Sequence, residues 1–297
     1  MASAYWAALA RAKLIARSEA LSRLRRSLSS APLIGNAGRK AKRWAAGLLL
    51  PKGPRWVQVQ RGFARGLWLR LDLDVEGGYW IGTYEVPVQD LLGALSLPGY
   101  IFYDIGASLG VFSLAFARAI GPNGRVFAFE PEPRNCRRIR EMAIRNGLQG
   151  RLELVEAAVW SRTVPGGAPF RRGGRQDTYG GVSADGVIPV LAEGEMRLVP
   201  LICLDEFIRR GNPAPDVLKI DVEGGECEVL KGGEELFFRA RPTLICEVHR
   251  EEGAHWIEAW LAAKRYAAVW HVPDEGFPRL MMAHPSERVT AKAEGRG

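Results

Sequence analysis

Three features predict an α/β protein built on a mostly parallel sheet. From residue 100 onward, short apolar runs alternate with stretches of helical spacing. The runs are apolar almost throughout, as strands buried on both faces are. The first run ends in a tight glycine turn, "YDIGASLG" from Tyr103 to Gly110. In doubly wound sheets such a strand-to-helix turn borders the ligand.

The elements follow in chain order. Residues 3–29 place Leu14, Leu21, Leu24 and Leu28 at helical spacing among Arg and Ala, which predicts a helix. Pro32, Gly35, Gly38, Pro51 and Pro54 break helix over 30–55. "RWVQVQRG" and "GLWLRLDLD" alternate apolar and polar residues and predict two antiparallel strands around Gly62–Gly66. "YEVPVQDLLGAL" reads as a helix with Pro87 in its first turn. Strands are then expected at 100–105, 126–130, 152–156, 216–221, 243–248, 266–271 and about 279–283. Helices are expected at 110–120, 133–146, 203–210, 225–238 and 254–264. Residues 161–198, rich in Gly and Arg, fit neither pattern, and a connection so long reads as a lid-like insertion.

Composition narrows the class. The chain has 297 residues and 47% hydrophobic content, enough for a sizeable core. No apolar run approaches the ~18 residues that span a bilayer. No secretory signal is expected, because Arg11 and Lys13 interrupt "YWAALARAKLIA". Cys136, Cys203, Cys227 and Cys246 form no C-x-x-C, so neither a structural zinc nor a disulfide framework is expected. These features predict a reduced, cytoplasmic protein.

The net charge of +8 is unevenly placed. Residues 1–61 hold thirteen Lys and Arg and one acid, Glu19, while the remainder is mildly acidic. A solvated basic extension is one reading of that segment. Its leucines, with Trp6 and Trp44, also suit peripheral contact with an anionic membrane surface. Nucleic acid is disfavoured, since no stacking or groove-reading element accompanies the charge.

The glycine turn carries the first chemistry. Its spacing is Gly106-x-x-x-Gly110, with Ser108 where a dinucleotide fingerprint has its middle glycine. Asp104 at the turn would repel a pyrophosphate in a poorly screened cleft. It suits a cationic ligand, and S-adenosylmethionine is one, with an ammonium, a sulfonium and no phosphate. Glu130 ends the second parallel run, "VFAFE", where an acid can take both ribose hydroxyls. The alternatives for these two acids are a loop cap and a solvated strand end. An NAD-dependent oxidoreductase is the enzyme rival, opposed by Ser108 and Asp104. A basic membrane-surface or nucleic-acid-binding protein without catalysis is the rival outside enzymes.

A second cluster lies in "VLKIDVEGGECEVLKGGEELF". Lys219, Asp221 and Glu223 are two apart, so an extended chain would put them on one face. Charges on a central strand need partners, because burying them alone is costly. Mutual pairing is the plain explanation, and an active-site wall the sharper one. Glu247 and His249 end the next run, and His249 can accept a proton near neutral pH. Two carboxylates also suit a divalent cation without establishing one, and no metal is assigned.

Together these segments resemble the FkbM family of S-adenosylmethionine-dependent methyltransferases. The residues that carry the resemblance are "YDIGASLGVFSLAFA", "VFAFEPEPRNCRRIREMAIRNGL", "LICLDEF", "DVLKIDVEGGECEVLKGG" and "EGGYWIGTYE", spanning roughly 57–283. Ser108 stands where the family usually has Asn. The resemblance implies a Rossmann-like class I methyltransferase fold: a doubly wound, seven-stranded, mostly parallel sheet whose last strand is antiparallel. A catalytic domain is expected over 56–297, after a basic helical extension over 1–55; that extension and residues 161–198 lie outside the resemblance. The implied reaction is methyl transfer from S-adenosyl-L-methionine, commonly to a hydroxyl of a sugar, a lipid-linked glycan or a natural product. The implied cofactor residues are Asp104, Gly106, Ala107, Ser108, Gly110, Glu130, Pro131 and Asp221, with Ala158 flanking the adenine at the end of the third strand. Tyr84 and Glu85 would close over the methionine end. Asp221 and Glu223 would face the reacting centre. Asp221 is the first candidate for the base, His249 the second, and Lys219 a group that orients a carboxylate or fixes the acceptor oxygen.

Overall fold

The computed structural model describes residues 53–172, 180–182, 196–271 and 276–286. The expected helix at 3–29, and all of the basic extension but its last three residues, lie outside them. Seven strands form one sheet. In chain order they are β3 (Ile101–Ile105), β4 (Arg125–Phe129), β5 (Leu152–Val155), β10 (Val217–Ile220), β11 (Thr243–Val248), β12 (Tyr266–His271) and β13 (Arg279–Pro285). Their spatial order is β12-β13-β11-β10-β3-β4-β5. β10 runs parallel to both β3 and β11, while β13 runs antiparallel to β11 and β12. This is the expected doubly wound sheet with an antiparallel last strand. Apolar side chains on both faces of the central strands drive it: β10 is buried at every position.

The described residues group into two compact units. The first takes in the chain up to Tyr100, Ala107–Val126 and Pro133–Leu154. Its hairpin, β1 (Arg55–Gln58) and β2 (Trp68–Leu71), is antiparallel as expected, with Trp56 opposite Arg70. Helix α1 (Leu73–Ile81) follows, where the glycines of "EGGYWIG" hid a helix from periodicity. Its start is secured reciprocally: Asp72 accepts the Asp74 N–H, and the Glu76 carboxylate accepts the Asp72 N–H at 2.8 Å. Helix α2 (Val86–Leu95) has Pro87 in its first turn and buries Val88, Leu91 and Leu92. Helices α3 (Val111–Ala119) and α4 (Pro133–Arg145) lie where expected. Arg138 of α4 grips Glu76 with two bonds, at 2.6 and 2.8 Å.

The second unit comprises Ile101–Gly106, Phe127–Glu132 and the chain from Val155. At its core Tyr103, Phe127, Phe129 and Phe207 pack ring against ring, with centroids 5.1–5.6 Å apart. Helices α5 (Leu204–Arg209), α6 (Glu226–Lys231), α7 (Glu234–Arg239) and α8 (Glu251–Ala263) pack around it. The single helix expected at 225–238 is two, broken at Gly232–Gly233. The chain there runs under Trp160, whose carbonyl oxygen would lie 2.2 Å from a Cβ on Gly232.

So far as it is described, the segment 161–198 is built of strands rather than irregular chain. β6 (Ala158–Val159), β7 (Val164–Arg172), β8 (Gly180–Val182) and β9 (Met196–Ile202) form a separate four-stranded sheet in the order β6-β9-β7-β8. Register shifts between Val164 and Ala168 where Gly167, at φ 79°, bulges against the Val199 backbone. That bulge disrupts the period of two that a sequence pattern would need. The four cysteines are free thiols. Among the described residues no helix is long and apolar enough to cross a membrane.

Candidate active site

The parallel register of β10 against β3 sets Lys219 directly across from Asp104. Neighbouring positions on parallel strands project to the same face, so the two side chains meet in the interior. Lys219 Nζ lies 3.6 Å from Asp104 Oδ1 and 3.2 Å from Asp221 Oδ2. Asp104 is fully buried and Lys219 nearly so. Asp104 therefore sits inside the sheet rather than at an open loop mouth, its charge offset by Lys219. Lone charges so deep would be costly, and the chain of acid, base and acid offsets part of that cost.

β3 ends at Gly106, in the left-handed region at φ 78°. A Cβ there would lie 1.8 Å from the Asp221 carbonyl oxygen. Only glycine lets the turn pass this close to the tip of β10. The Gly106 N–H donates to the Phe129 carbonyl, and the Asp221 N–H to the Ile105 carbonyl. The turn and the tip of β10 thus share one backbone scaffold.

Beyond Ile220 the strand ends, and the expected alternation fails. Glu223 adopts φ 56° and Gly224 φ 104°, so Glu223 does not share an extended face with Lys219 and Asp221. The turn instead swings Glu223 toward His249, which directly follows β11. His249 Nε2 lies 3.3 Å from Glu223 Oε2 and 3.8 Å from Asp221 Oδ1. Its Nδ1 lies 2.7 Å from Glu226 Oε1. Glu226, at the start of α6, is 2% exposed and also accepts the Gly224 N–H at 2.8 Å.

Glu226 is the residue that sequence reasoning missed. It lies within the quoted motif, as the acid after Gly224–Gly225, but nothing in the spacing says that it reaches His249. Burial pushes the His249 pKa down. The hydrogen bond to Glu226 and the charges of Glu223, Glu226 and Asp221 outweigh that and raise it to about 9. Burial raises the Glu223 carboxyl, and the charges of Asp221 and Glu226 add to this against His249 and Lys219.

The second unit also holds Glu130, just past the end of β4. It is 5% exposed, and its Oε1 accepts the Glu132 N–H at 2.8 Å. Pro131 follows it at the strand end. Ala158 is not at the end of the third parallel strand. β5 ends at Val155, and Ala158 opens the second sheet, paired with Leu201. Glu247 is the penultimate residue of β11, partly buried.

The remaining candidates belong to the first unit. Ser108 takes φ 51° and Gly110 φ 71°, and Gly110 donates to the Ala107 carbonyl at 2.7 Å. The Tyr84 ring lies 3.9 Å from that of Tyr79 and 6.4 Å from Phe112, centroid to centroid. Glu85 precedes α2 at φ 43°.

The donor set of the second unit fits a cationic, ribose-bearing cofactor. Asp104, Asp221, Glu223 and Glu226 stand against Lys219 and His249, four acids to two bases. Such a group attracts a sulfonium or ammonium and repels a phosphate. Glu130 supplies the acceptor-only carboxylate that a ribose diol needs.

The family pattern described as the methyltransferase FkbM domain matches residues 104–268. The 31-O-demethyl-FK506 methyltransferase FkbM of Streptomyces tacrolimicus is 33% identical over 178 residues, 53% of this chain and 68% of that protein. The hexuronic acid methyltransferase AglP of Haloferax volcanii is 31% identical over 140 residues, 44% of this chain. The chain spans about half the length of that relative. A crystal structure of an FkbM methyltransferase from Methylobacillus flagellatus superposes with a TM-score of 0.46 at 18% identity, covering 62% of this chain and 43% of that one.

Proposed function

The chain belongs to the FkbM family of S-adenosylmethionine-dependent methyltransferases, and we propose that it methylates a hydroxyl of a sugar, a glycan or a hydroxylated natural product. The observation that carries this reading is the carboxylate–histidine group at the tips of β10 and β11, beside the glycine turn. The cofactor supplies an already activated methyl, so the protein must chiefly align the acceptor and take up its proton. Asp221 is the proposed proton acceptor. Lys219, on its other oxygen, holds the carboxylate in place and Asp104 balances Lys219. His249, charged at neutral pH, is the weaker candidate for a base. It serves better as a donor to the acceptor oxygen.

For the cofactor, Asp104, Gly106, Ala107, Ser108, Gly110, Glu130 and Pro131 are proposed to line the site, with Glu130 taking the ribose. Tyr84 and Glu85 keep their proposed place at the methionine end. The names of the two relatives, one acting on a 31-O position and one on a hexuronic acid, support a hydroxyl-rich acceptor. The tip of β10 also lacks an N-P-P-[FY]-like signature of amine methylation.

The test is transfer of isotopically labelled methyl from S-adenosylmethionine to a panel of uronic acids, sugars and polyhydroxylated macrocycles. Position is read by mass spectrometry and NMR. Label on a ring hydroxyl is expected, and Asp221→Asn should lower kcat 10²–10⁴-fold with cofactor affinity retained. Label on an amine would refute the oxygen reading. Full transfer by Asp221→Asn would remove Asp221 as the base. The basic segment, residues 1–61, supports a second proposal, peripheral contact with anionic membranes carrying a lipid-linked acceptor. Co-sedimentation of the full chain with phosphatidylserine vesicles that is weakened by salt is expected. Equal recovery with and without vesicles would dismiss it.

A further inference from the structure

We propose that Asp221, Glu223 and His249 form a binding site for one divalent first-row metal ion, with Glu226 as the carboxylate that fixes the histidine. One donor atom from each of the three lies within 4.8 Å of the others. Ligands around an ion at ~2.1 Å stand about 3 Å apart at right angles. The separations from His249 Nε2, 3.3 and 3.8 Å, need only sub-ångström contraction to reach that.

Three features distinguish this group from a surface patch of acids. The first is the direction of the imidazole. Nδ1 is committed to Glu226, itself 2% exposed, which leaves Nε2 as the open nitrogen facing two carboxylates. Metal-bound histidines show this arrangement, with the far nitrogen held by a carboxylate. The second is the division of labour on Asp221. Lys219 takes Oδ2 at 3.2 Å, and Oδ1 is the oxygen turned to His249. The third is charge. A bound ion takes the place of the imidazole proton, and without it the four carboxylates and Lys219 alone sum to −3. A divalent ion reduces this to −1. One imidazole with two carboxylates suits Mn²⁺, Fe²⁺ or Zn²⁺ better than the all-oxygen preference of Mg²⁺ or Ca²⁺.

The ion's role in catalysis rests on the proposed methyl transfer. Its binding does not. A hydroxyl on the ion would be acidified. With the ion bound, Asp221 would hold it rather than act as the base; the proton would pass to water, and the oxygen would bond the methyl carbon as the carbon–sulfur bond breaks. That electron pair stays on sulfur, giving the neutral thioether.

The experiment titrates Mn²⁺ alone onto the full chain after chelator treatment, with free Mn²⁺ read by electron paramagnetic resonance. One ion per chain is expected. Asp221→Asn and His249→Gln should each weaken binding at least tenfold, and Glu226→Gln 10–100-fold. Circular dichroism must show each variant folded, and a variant that fails is read through the other two. No binding of Mn²⁺ or Zn²⁺ to the wild type at millimolar concentration overturns the site, as does unchanged affinity in the folded variants. Methyl transfer is assayed separately, with and without chelator. Transfer that survives the chelator and the loss of the ion overturns the ion's catalytic role while leaving the proposed function intact. Absence of transfer with the ion bound counts against the proposed function alone.

Discussion

Gly106 shows how much one missing side chain does here. Any other residue would place a Cβ 1.8 Å from the Asp221 carbonyl oxygen, at a φ of 78°. Gly106→Ala should cost about 1–2 kcal/mol from backbone handedness alone. It should also push the turn away from the tip of β10. Calorimetric titration with S-adenosylmethionine should show at least tenfold weaker binding, and unchanged affinity would show that the turn does not shape the cofactor site. His249 gives a second prediction at this scale, for the metal-free protein. Its pKa is raised from 6.5 to about 9 in the folded chain. The folded state therefore binds the proton more tightly. The associated stability is fully present below pH 6.5 and is lost as pH rises through about 9. The loss is no more than about 3 kcal/mol, and less after screening. Urea unfolding at pH 6, 7.5 and 9.5 should show the decline, and His249→Gln should flatten it.

At the scale of elements, the Arg138–Glu76 pair ties α4 to α1 within the first unit. Glu76 is 5% exposed and accepts both guanidinium bonds. Arg138→Leu would leave that carboxylate buried and unpaired, at a cost of about 3–5 kcal/mol. Arg138→Leu with Glu76→Leu should recover much of the loss in the same urea measurement. Equal destabilisation by the single and double changes would show that the pair is incidental. Elements were legible wherever periodicity was clean. All seven strands of the main sheet and the helices at Val111–Ala119, Pro133–Arg145, Leu204–Arg209 and Glu251–Ala263 lie where the pattern puts them. Three of the misses share one cause, glycine, while β6 (Ala158–Val159) and β9 (Met196–Ile202) were missed without one. Gly77 and Gly78 weaken the signal of α1, Gly232 and Gly233 split a helix read as continuous, and Gly166 and Gly167 disguise β7 as irregular chain. Glycine lowers propensity without forbidding the element, and tertiary contact then decides.

For the whole molecule, the expected response to cofactor follows from mass action. At a hundredfold excess over Kd, S-adenosylmethionine should add about 2.7 kcal/mol to stability and raise Tm. NADH should not, and a rise with NADH in place of S-adenosylmethionine would contradict the family. Glu130→Ala should abolish most of the shift. The apolar pattern was enough to determine the fold class, because it is written in local spacing, and the glycine turn with the motif from Asp216 to Gly233 carries the resemblance from which the family and its cofactor follow. Which side chains meet is another matter. Asp104 meets Lys219 through strand register, and His249 meets Glu226 only because β11 lies beside β10. Residues 104 and 219, or 226 and 249, are unrelated along the chain. Only the ordering of strands in the sheet makes them neighbours, and burial then forces their charges to pair.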